Sequence, residues 1–95
     1  MNDLELVRRL RRLRRTVLML ETELRLNHID LELVEEIEER LEHGIATDPR
    51  SADLRTLVDA LRESTMTPRK ELMRDTVRAA EKLRDAVDAI VDRIA

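Results

Sequence analysis

The chain has 95 residues, of which 42% are hydrophobic and 41% are charged, and its formal net charge is −3. This length fits a single domain with a hydrophobic core of its own, and the small negative charge does not favour a nucleic-acid partner. The sequence contains no Cys, which excludes disulfide bonds, thiolate metal sites and thiol nucleophiles.

The first predicted helix covers residues 3–26. Asp3 is the expected N-cap, and the apolar residues recur at alternating spacings of four and three in a heptad pattern: Leu6, Leu10, Leu13, Val17, Leu20 and Leu24. Leu18, Met19 and Leu26 widen this stripe, so we expect the second half of the helix to be buried on more than one side. We expect the helix to end at Asn27, because Asn tolerates the left-handed conformation common after a helix C-terminus.

The second predicted helix covers residues 30–43, with Asp30 as its N-cap. Its apolar positions fall on one helical stripe: Leu31, Leu33, Val34, Ile37 and Leu41. Gly44, the only glycine of the chain, directly follows the last helical turn and is the expected C-terminal signal. His43 would then interact favourably with the helix dipole.

Two further helices are predicted at residues 48–64 and 68–94. The segment Thr47-Asp48-Pro49 is typical of a helix start, with Ser51 as an alternative cap, and the buried face comprises Leu54, Leu57, Val58 and Leu61. Thr67 and Pro68 are the expected cap and first residue of the last helix. Its stripe consists of Met73, Ala80, Leu83, Val87, Ile90 and Ile94.

No segment shows the period-two alternation of a strand, so the predicted fold class is all-α. We expect one domain over residues 1–95, with four mostly antiparallel helices in a bundle. The two outer helices would be roughly 36 and 40 Å long and the two middle ones roughly 21 Å. The middle helices either lie end to end along the long pair or form a separate hairpin, and the sequence leaves both arrangements open.

The most conspicuous feature is a basic cluster in the first helix: Arg8, Arg9, Arg11, Arg12, Arg14 and Arg15. Such a cluster is compatible with a phosphate-binding or membrane-surface helix. However, residues 28–43 contain seven acidic residues and one Arg, whereas residues 1–27 contain seven Arg and four acidic residues. In an antiparallel hairpin of the first two helices, Arg12 and Arg15 would come within reach of Glu39 and Glu42.

This internal pairing is the favoured interpretation of the basic cluster. The absence of Phe, Trp and Tyr also removes the side chains on which single-stranded nucleic acids stack and those that anchor an interfacial helix. We therefore expect no nucleic-acid partner, no membrane partner, and a monomer rather than a homodimer. The charged N-terminal segment (Asp3, Glu5, Arg8) is unlike a secretory signal, so we expect a soluble, cytoplasmic protein.

No catalytic, cofactor-binding or metal-binding residue is predicted. His28 and His43 are the only histidines, and each has a single Glu four residues away, Glu32 and Glu39 respectively, which does not make a carboxylate-bridged dimetal site. The chain is similar in size and helix content to the all-helical chorismate mutases, but no motif of that family can be matched to its residues. We therefore expect a protein that is not an enzyme.

The residue types that are missing lead to a hypothesis about origin. Gln is absent as well as Cys and all aromatic residues, although ordinary usage would give on the order of eight aromatics in this length. A core of Leu, Ile, Val, Met and Ala, with helix caps and complementary charge, resembles a de novo designed helical bundle whose property is its fold. The alternative is a natural interaction or dimerisation module from a GC-rich bacterium or archaeon, since Arg outnumbers Lys by 16 to 2.

Overall fold

A computed structural model describes residues 1–66 and 72–95, apart from the side chain of Leu72. The described residues form four α-helices: α1 (Asp3–Arg25), α2 (Leu31–Glu42), α3 (Leu54–Ser64) and α4 (Leu72–Ile94). They contain no strand. The predicted all-α class, with two long outer helices and two short middle ones, is confirmed.

The two ends of α1 are determined by asparagines. The Asn2 side chain accepts a hydrogen bond from the Glu5 backbone N–H at 2.8 Å, so the N-cap is Asn2 and the prediction of Asp3 was wrong. At the other end Asn27 has φ +59°, as predicted for a residue that follows the helix in the left-handed conformation. The Asn27 N–H then bonds to Leu24 O and the His28 N–H to Glu23 O, which is the Schellman motif.

The predicted caps of α2 are confirmed. The Asp30 carboxylate accepts hydrogen bonds from the backbone N–H groups of Glu32 and Leu33, at 3.0 and 3.4 Å. Gly44 follows the C-cap residue His43 with φ +91°, a conformation that side-chain-bearing residues adopt only with strain.

The third helix begins later than residue 48. Residues 44–53 form a series of turns, and α3 starts at Leu54. The prediction failed because Asp48 accepts its bonds from the Arg50 backbone N–H and side chain, as in a turn, rather than from a helical N-terminus. Ser51 is not a cap either, since its buried hydroxyl donates to Ile45 O at 2.7 Å. The predicted start of the fourth helix, Thr67 and Pro68, lies outside the described residues.

Side-chain contacts define how the helices are arranged. Two contacts join α1 to α2 (Thr16–Arg40 and Arg9–His43), two join α2 to α3 (Glu38–Arg62 and Glu42–Arg55), and two join α1 to α4 (Glu21–Arg84 and Arg14–Asp88). In each pair the residue numbers rise along one helix as they fall along the other, so these neighbours are antiparallel, and α3 is consequently antiparallel to α4. In the described residues α1 packs on α2 and α4, and α3 packs on α2 and α4. The helices therefore form an antiparallel ring, and the two short helices form a hairpin rather than one broken rod.

The core occupies the inside of this ring along its whole length. It contains the heptad residues Leu6, Leu10, Leu13, Val17, Leu20 and Leu24 of α1, together with Val34, Ile37 and Leu41 of α2, Leu54, Val58 and Leu61 of α3, and Ala80, Leu83, Val87 and Ile90 of α4. Ile45 from the turn segment closes one end. Every helix thus contributes one apolar stripe, as the helical period predicts. Leu31, which was expected in the stripe of α2, is instead 47% exposed, and three other predicted stripe residues are only partly buried: Leu57, Met73 and Ile94.

The wider burial predicted for the second half of α1 was wrong for Met19 and Leu26, whereas Leu18 is partly buried. Met19 is 50% exposed and Leu26 is 71% exposed, although their neighbours Leu20 and Leu24 are buried. Both exposed residues lie on the side of α1 that faces away from the core, where no helix of the described chain covers them. This leaves apolar side chains in contact with solvent next to the arginine cluster.

Candidate functional site

The arginine cluster of α1 divides into paired and unpaired side chains. Arg14 contacts Asp88 of α4, with 2.5 Å between Nε and Oδ1, and Arg9 donates a hydrogen bond to the His43 carbonyl at the end of α2. Within the described residues, the other four form no ion pair, and all four are exposed: Arg8, Arg11, Arg12 and Arg15. Most of the cluster is therefore available to a partner.

Within the described residues, three of the six glutamates of α2 form ion pairs, two with α3 and one within α2. Glu38 contacts Arg62, Glu42 contacts Arg55 at 2.9 Å, and Glu36 contacts Arg40 at 2.8 Å. The predicted pairing of Arg12 and Arg15 with Glu39 and Glu42 was therefore wrong.

The physical reason is the helical phase of α2. Residues four apart lie on the same side of a helix, so Glu38 and Glu42 share the side that faces α3. The side that faces α1 carries Arg40, whose Nε donates to Thr16 Oγ1 at 3.0 Å. An arginine of α2 thus occupies the position at which the prediction expected a glutamate.

A charged groove of about 660 Å³ runs between α1 and α2. Its walls carry both signs of charge: Glu5, Arg8, Arg9, Arg12, Glu36, Glu39, Arg40 and His43. Because acids and bases alternate around it, the groove has no strong preference for a small anion or cation.

The outer surface of α1 is more uniform. Seven exposed residues follow one another at spacings of three and four along the side opposite the core, and we call them the α1 ridge: Leu4, Arg8, Arg11, Arg15, Met19, Thr22 and Leu26. The ridge contains no acidic residue, although acids outnumber bases in the chain. Its middle is basic and its ends are apolar, with Leu4 60% exposed and Leu26 71% exposed.

The outer surface of α2 has the opposite charge. Glu32, Glu35 and Glu39 are exposed on one side of the helix and form no ion pair within the described residues, and we call them the α2 acidic row. Leu31, 47% exposed, stands beside this row at the start of the helix. Two neighbouring helices therefore present unpaired charges of opposite sign to solvent.

The histidines are engaged in local contacts at helix ends. His43 Nδ1 lies 2.7 Å from the Glu39 carbonyl, which can only accept, so the ring donates this bond from the last turn of α2. His28 Nδ1 lies 3.0 Å from Glu23 Oε2 rather than beside Glu32. Among the described residues, no group of three or more His, Cys, Asp or Glu side chains is placed to hold a metal ion.

One buried ion pair between α1 and α4 was not predicted from the sequence. Glu21 of α1 is only 6% exposed, and both its carboxylate oxygens accept bonds from Arg84 Nη1 of α4, at 3.1 and 3.0 Å. The available signal was position, because Glu21 directly follows the core residue Leu20 and lies four residues after Val17. This contact holds α1 against α4 and so leaves the ridge facing outward.

Comparison with known proteins adds no assignment: no family model, no curated protein and no solved structure matches the chain. In the part of the chain that the structure describes, no helix is both long enough and apolar enough to cross a membrane.

Proposed function

We propose that this chain is a non-catalytic helical bundle that acts as a protein–protein interaction module, with the α1 ridge as its contact surface. The observation that carries the proposal is the composition of the ridge. Arg8, Arg11 and Arg15 are exposed without an ion pair in the described structure, and exposed Leu4 and Leu26 lie at the two ends. Exposed apolar side chains next to arginines are typical of protein interfaces.

Arginine suits such a surface because its guanidinium is weakly hydrated and forms directed bonds with carboxylates. The fitting partner is a protein surface with acidic side chains in the middle and apolar side chains at the ends. Nucleic acid fits less well, because its phosphates can bond to the arginines but offer no apolar contact to the exposed Leu4 and Leu26 at the ends of the ridge. There is also no aromatic side chain on which a base could stack.

A binding titration tests this proposal with defined probes. The probes are a fluorescently labelled helical peptide with glutamates along one side and leucines at its ends, and a labelled DNA duplex of the same charge. We expect the peptide to bind more tightly than the duplex, and Arg11→Glu with Arg15→Glu to weaken peptide binding at least tenfold. Tighter binding of the duplex, or peptide binding that ignores these changes, would overturn the proposal.

A second candidate is the designed bundle whose property is its fold. The observation in its favour is internal consistency, since every buried side-chain nitrogen or oxygen in the described residues has a hydrogen-bond partner. Thermal unfolding by circular dichroism tests it. A designed bundle of this kind is expected to melt above about 90 °C, whereas a midpoint of about 50 to 60 °C would contradict the hypothesis.

A further inference from the structure

We propose that the partner of the α1 ridge is a second copy of this chain, in a two-fold dimer where each α1 ridge packs on the α2 acidic row of the other copy. This inference rests on the proposed function and names its partner. Charge is the first argument. Within the described residues, no ion pair is formed by Arg11 and Arg15 of the α1 ridge, by Arg12, which lies beside the ridge on the side toward α2, or by Glu35 and Glu39 of the α2 acidic row. A chain that exposes both complementary surfaces is able to recognise itself.

The antiparallel packing of α1 and α2 brings the charged residues of the two copies to the same height along the bundle. Within one copy, Thr16 lies beside Arg40 and Arg9 beside His43, so residues whose numbers sum to about 55 share the same height along the bundle. A two-fold axis parallel to the helices exchanges α1 and α2 between copies without changing height. Arg15 then comes level with Glu39 of the second copy, within reach of two long side chains.

The same two-fold rotation also brings together one pair of exposed apolar residues. Leu26 at the end of α1 comes level with Leu31 at the start of α2 in the other copy, and these side chains are 71% and 47% exposed. Because the axis is two-fold, this contact occurs twice. Both contacts lie at the end of the bundle that carries the α1–α2 turn, next to the charge pairs, and stable interfaces combine apolar and charged contacts in this way.

The long side of the molecule is large enough for a standard interface, and charge favours this orientation of the two copies. The molecule measures 42 × 20 × 20 Å, so one long side is comparable to the roughly 800 Å² per partner of a standard interface. A two-fold axis perpendicular to the helices would instead place α1 on α1 in antiparallel orientation, so that with the axis near Leu13 the Arg11 of one copy faces the Arg15 of the other. Like charges in direct contact disfavour that alternative.

Sedimentation equilibrium of the full chain tests the proposal. At low salt we expect a mass of twice the 11.2 kDa of the chain, and a shift toward the monomer as the salt concentration rises. Arg12→Glu with Arg15→Glu, and separately Glu35→Arg with Glu39→Arg, should each give a monomer. An equimolar mixture of the two variants should restore the dimer, because each basic surface again meets an acidic one.

The matched control is Arg74→Glu with Arg78→Glu, which reverses two exposed charges on α4 that form no ion pair with any described residue, and it should leave the dimer intact. Circular dichroism must show that each variant is helical. A monomer for the unchanged chain at all concentrations, or no recovery in the mixture, overturns the dimer. If the labelled acidic peptide still binds the α1 ridge of such a monomer, the interaction module stands without the dimer, and if it does not, both proposals fail.

Discussion

Arg50 donates three hydrogen bonds to the carboxylate of Asp48. Its backbone N–H and its Nε bond to Oδ1 at 2.9 and 3.1 Å, and its Nη2 bonds to Oδ2 at 2.9 Å. The same guanidinium donates to Asp3 and to the Met1 carbonyl of the α1 N-terminus. The pair therefore fastens the turns between α2 and α3 to the start of α1.

Replacing Asp48 by Asn should make stability less dependent on pH. The hydrogen bonds from Arg50 lower the pKa of Asp48 from 3.8 to about 2. A lowered pKa in the folded state stabilises the protein above pH 3.8, and this contribution is lost as the pH falls toward 2. Urea unfolding should show Asp48→Asn to be less stable than the unchanged chain at pH 7, with the difference shrinking between pH 4 and pH 2.

Asp59→Asn is the control for this measurement. Asp59 is exposed and has no ion pair in the described structure, so its replacement should change stability little at either pH. A difference between Asp48→Asn and the unchanged chain that stays constant down to pH 2 would contradict the role given to Arg50.

Removing Arg84 should destabilise the bundle more than removing the whole ion pair. Arg84→Met leaves Glu21 buried without its partner, which we expect to cost about 1 to 3 kcal/mol of unfolding free energy. Glu21→Leu together with Arg84→Met should recover most of this loss, because two apolar side chains in contact leave no buried charge without a partner. Equal destabilisation by the single and double variants in urea unfolding would show that the carboxylate is not buried as described.

Two adjacent residues test the orientation of α1. Leu20 is fully buried, so Leu20→Ala should cost about 2 to 5 kcal/mol of unfolding free energy. Met19 is half exposed on the α1 ridge, so Met19→Ala should change the stability of the monomer by less than about 0.5 kcal/mol. Chemical unfolding at high dilution measures both, and similar losses would mean that the ridge is covered within one chain.

Gly44 and Asn27 both have positive φ, so replacing Gly44 by Ala should lower stability, whereas replacing Asn27 by Gly should not. Gly44→Ala is expected to cost about 1 to 2 kcal/mol, because φ +91° strains a side-chain-bearing residue. The added Cβ would also lie 2.7 Å from Arg9 Nη1 and displace that side chain from His43. Asn27→Gly should leave stability unchanged or slightly raised, and a large loss there would contradict the left-handed conformation of Asn27.

The helical stripes were predictable because burial follows the helical period. The six heptad residues of α1, from Leu6 to Leu24, all lie in the core. Asp30 caps the start of α2, and Asn27 and Gly44 adopt positive φ after the ends of α1 and α2, as predicted. The choice between hairpin and collinear middle helices was not predictable, since it depends on contacts such as Glu38 with Arg62 that join distant residues. Local signals therefore gave the elements but not their arrangement.

The charge pairing failed for a related reason. Segment charges predicted that α1 would pair with α2, but pairing depends on which side of a helix each residue occupies. Glu38 and Glu42 face α3, and Arg40 faces α1 at Thr16. The summed charge of a segment does not say which side of the helix each charged residue occupies. The α1 ridge could therefore be identified only from the packing of the four helices.

Within the described residues, Arg8, Arg11, Arg12 and Arg15 of α1 form no ion pair, and a double-mutant cycle on Arg12 tests this central claim most directly. Arg12 and Glu39 are each replaced by Ala, singly and together, and unfolding free energies are measured where the chain is monomeric. The reference cycle uses Glu38 and Arg62, which are in contact. We predict a coupling near zero for Arg12 with Glu39 and about 0.5 to 1 kcal/mol for the reference pair. A coupling for Arg12 with Glu39 as large as the reference would contradict the account.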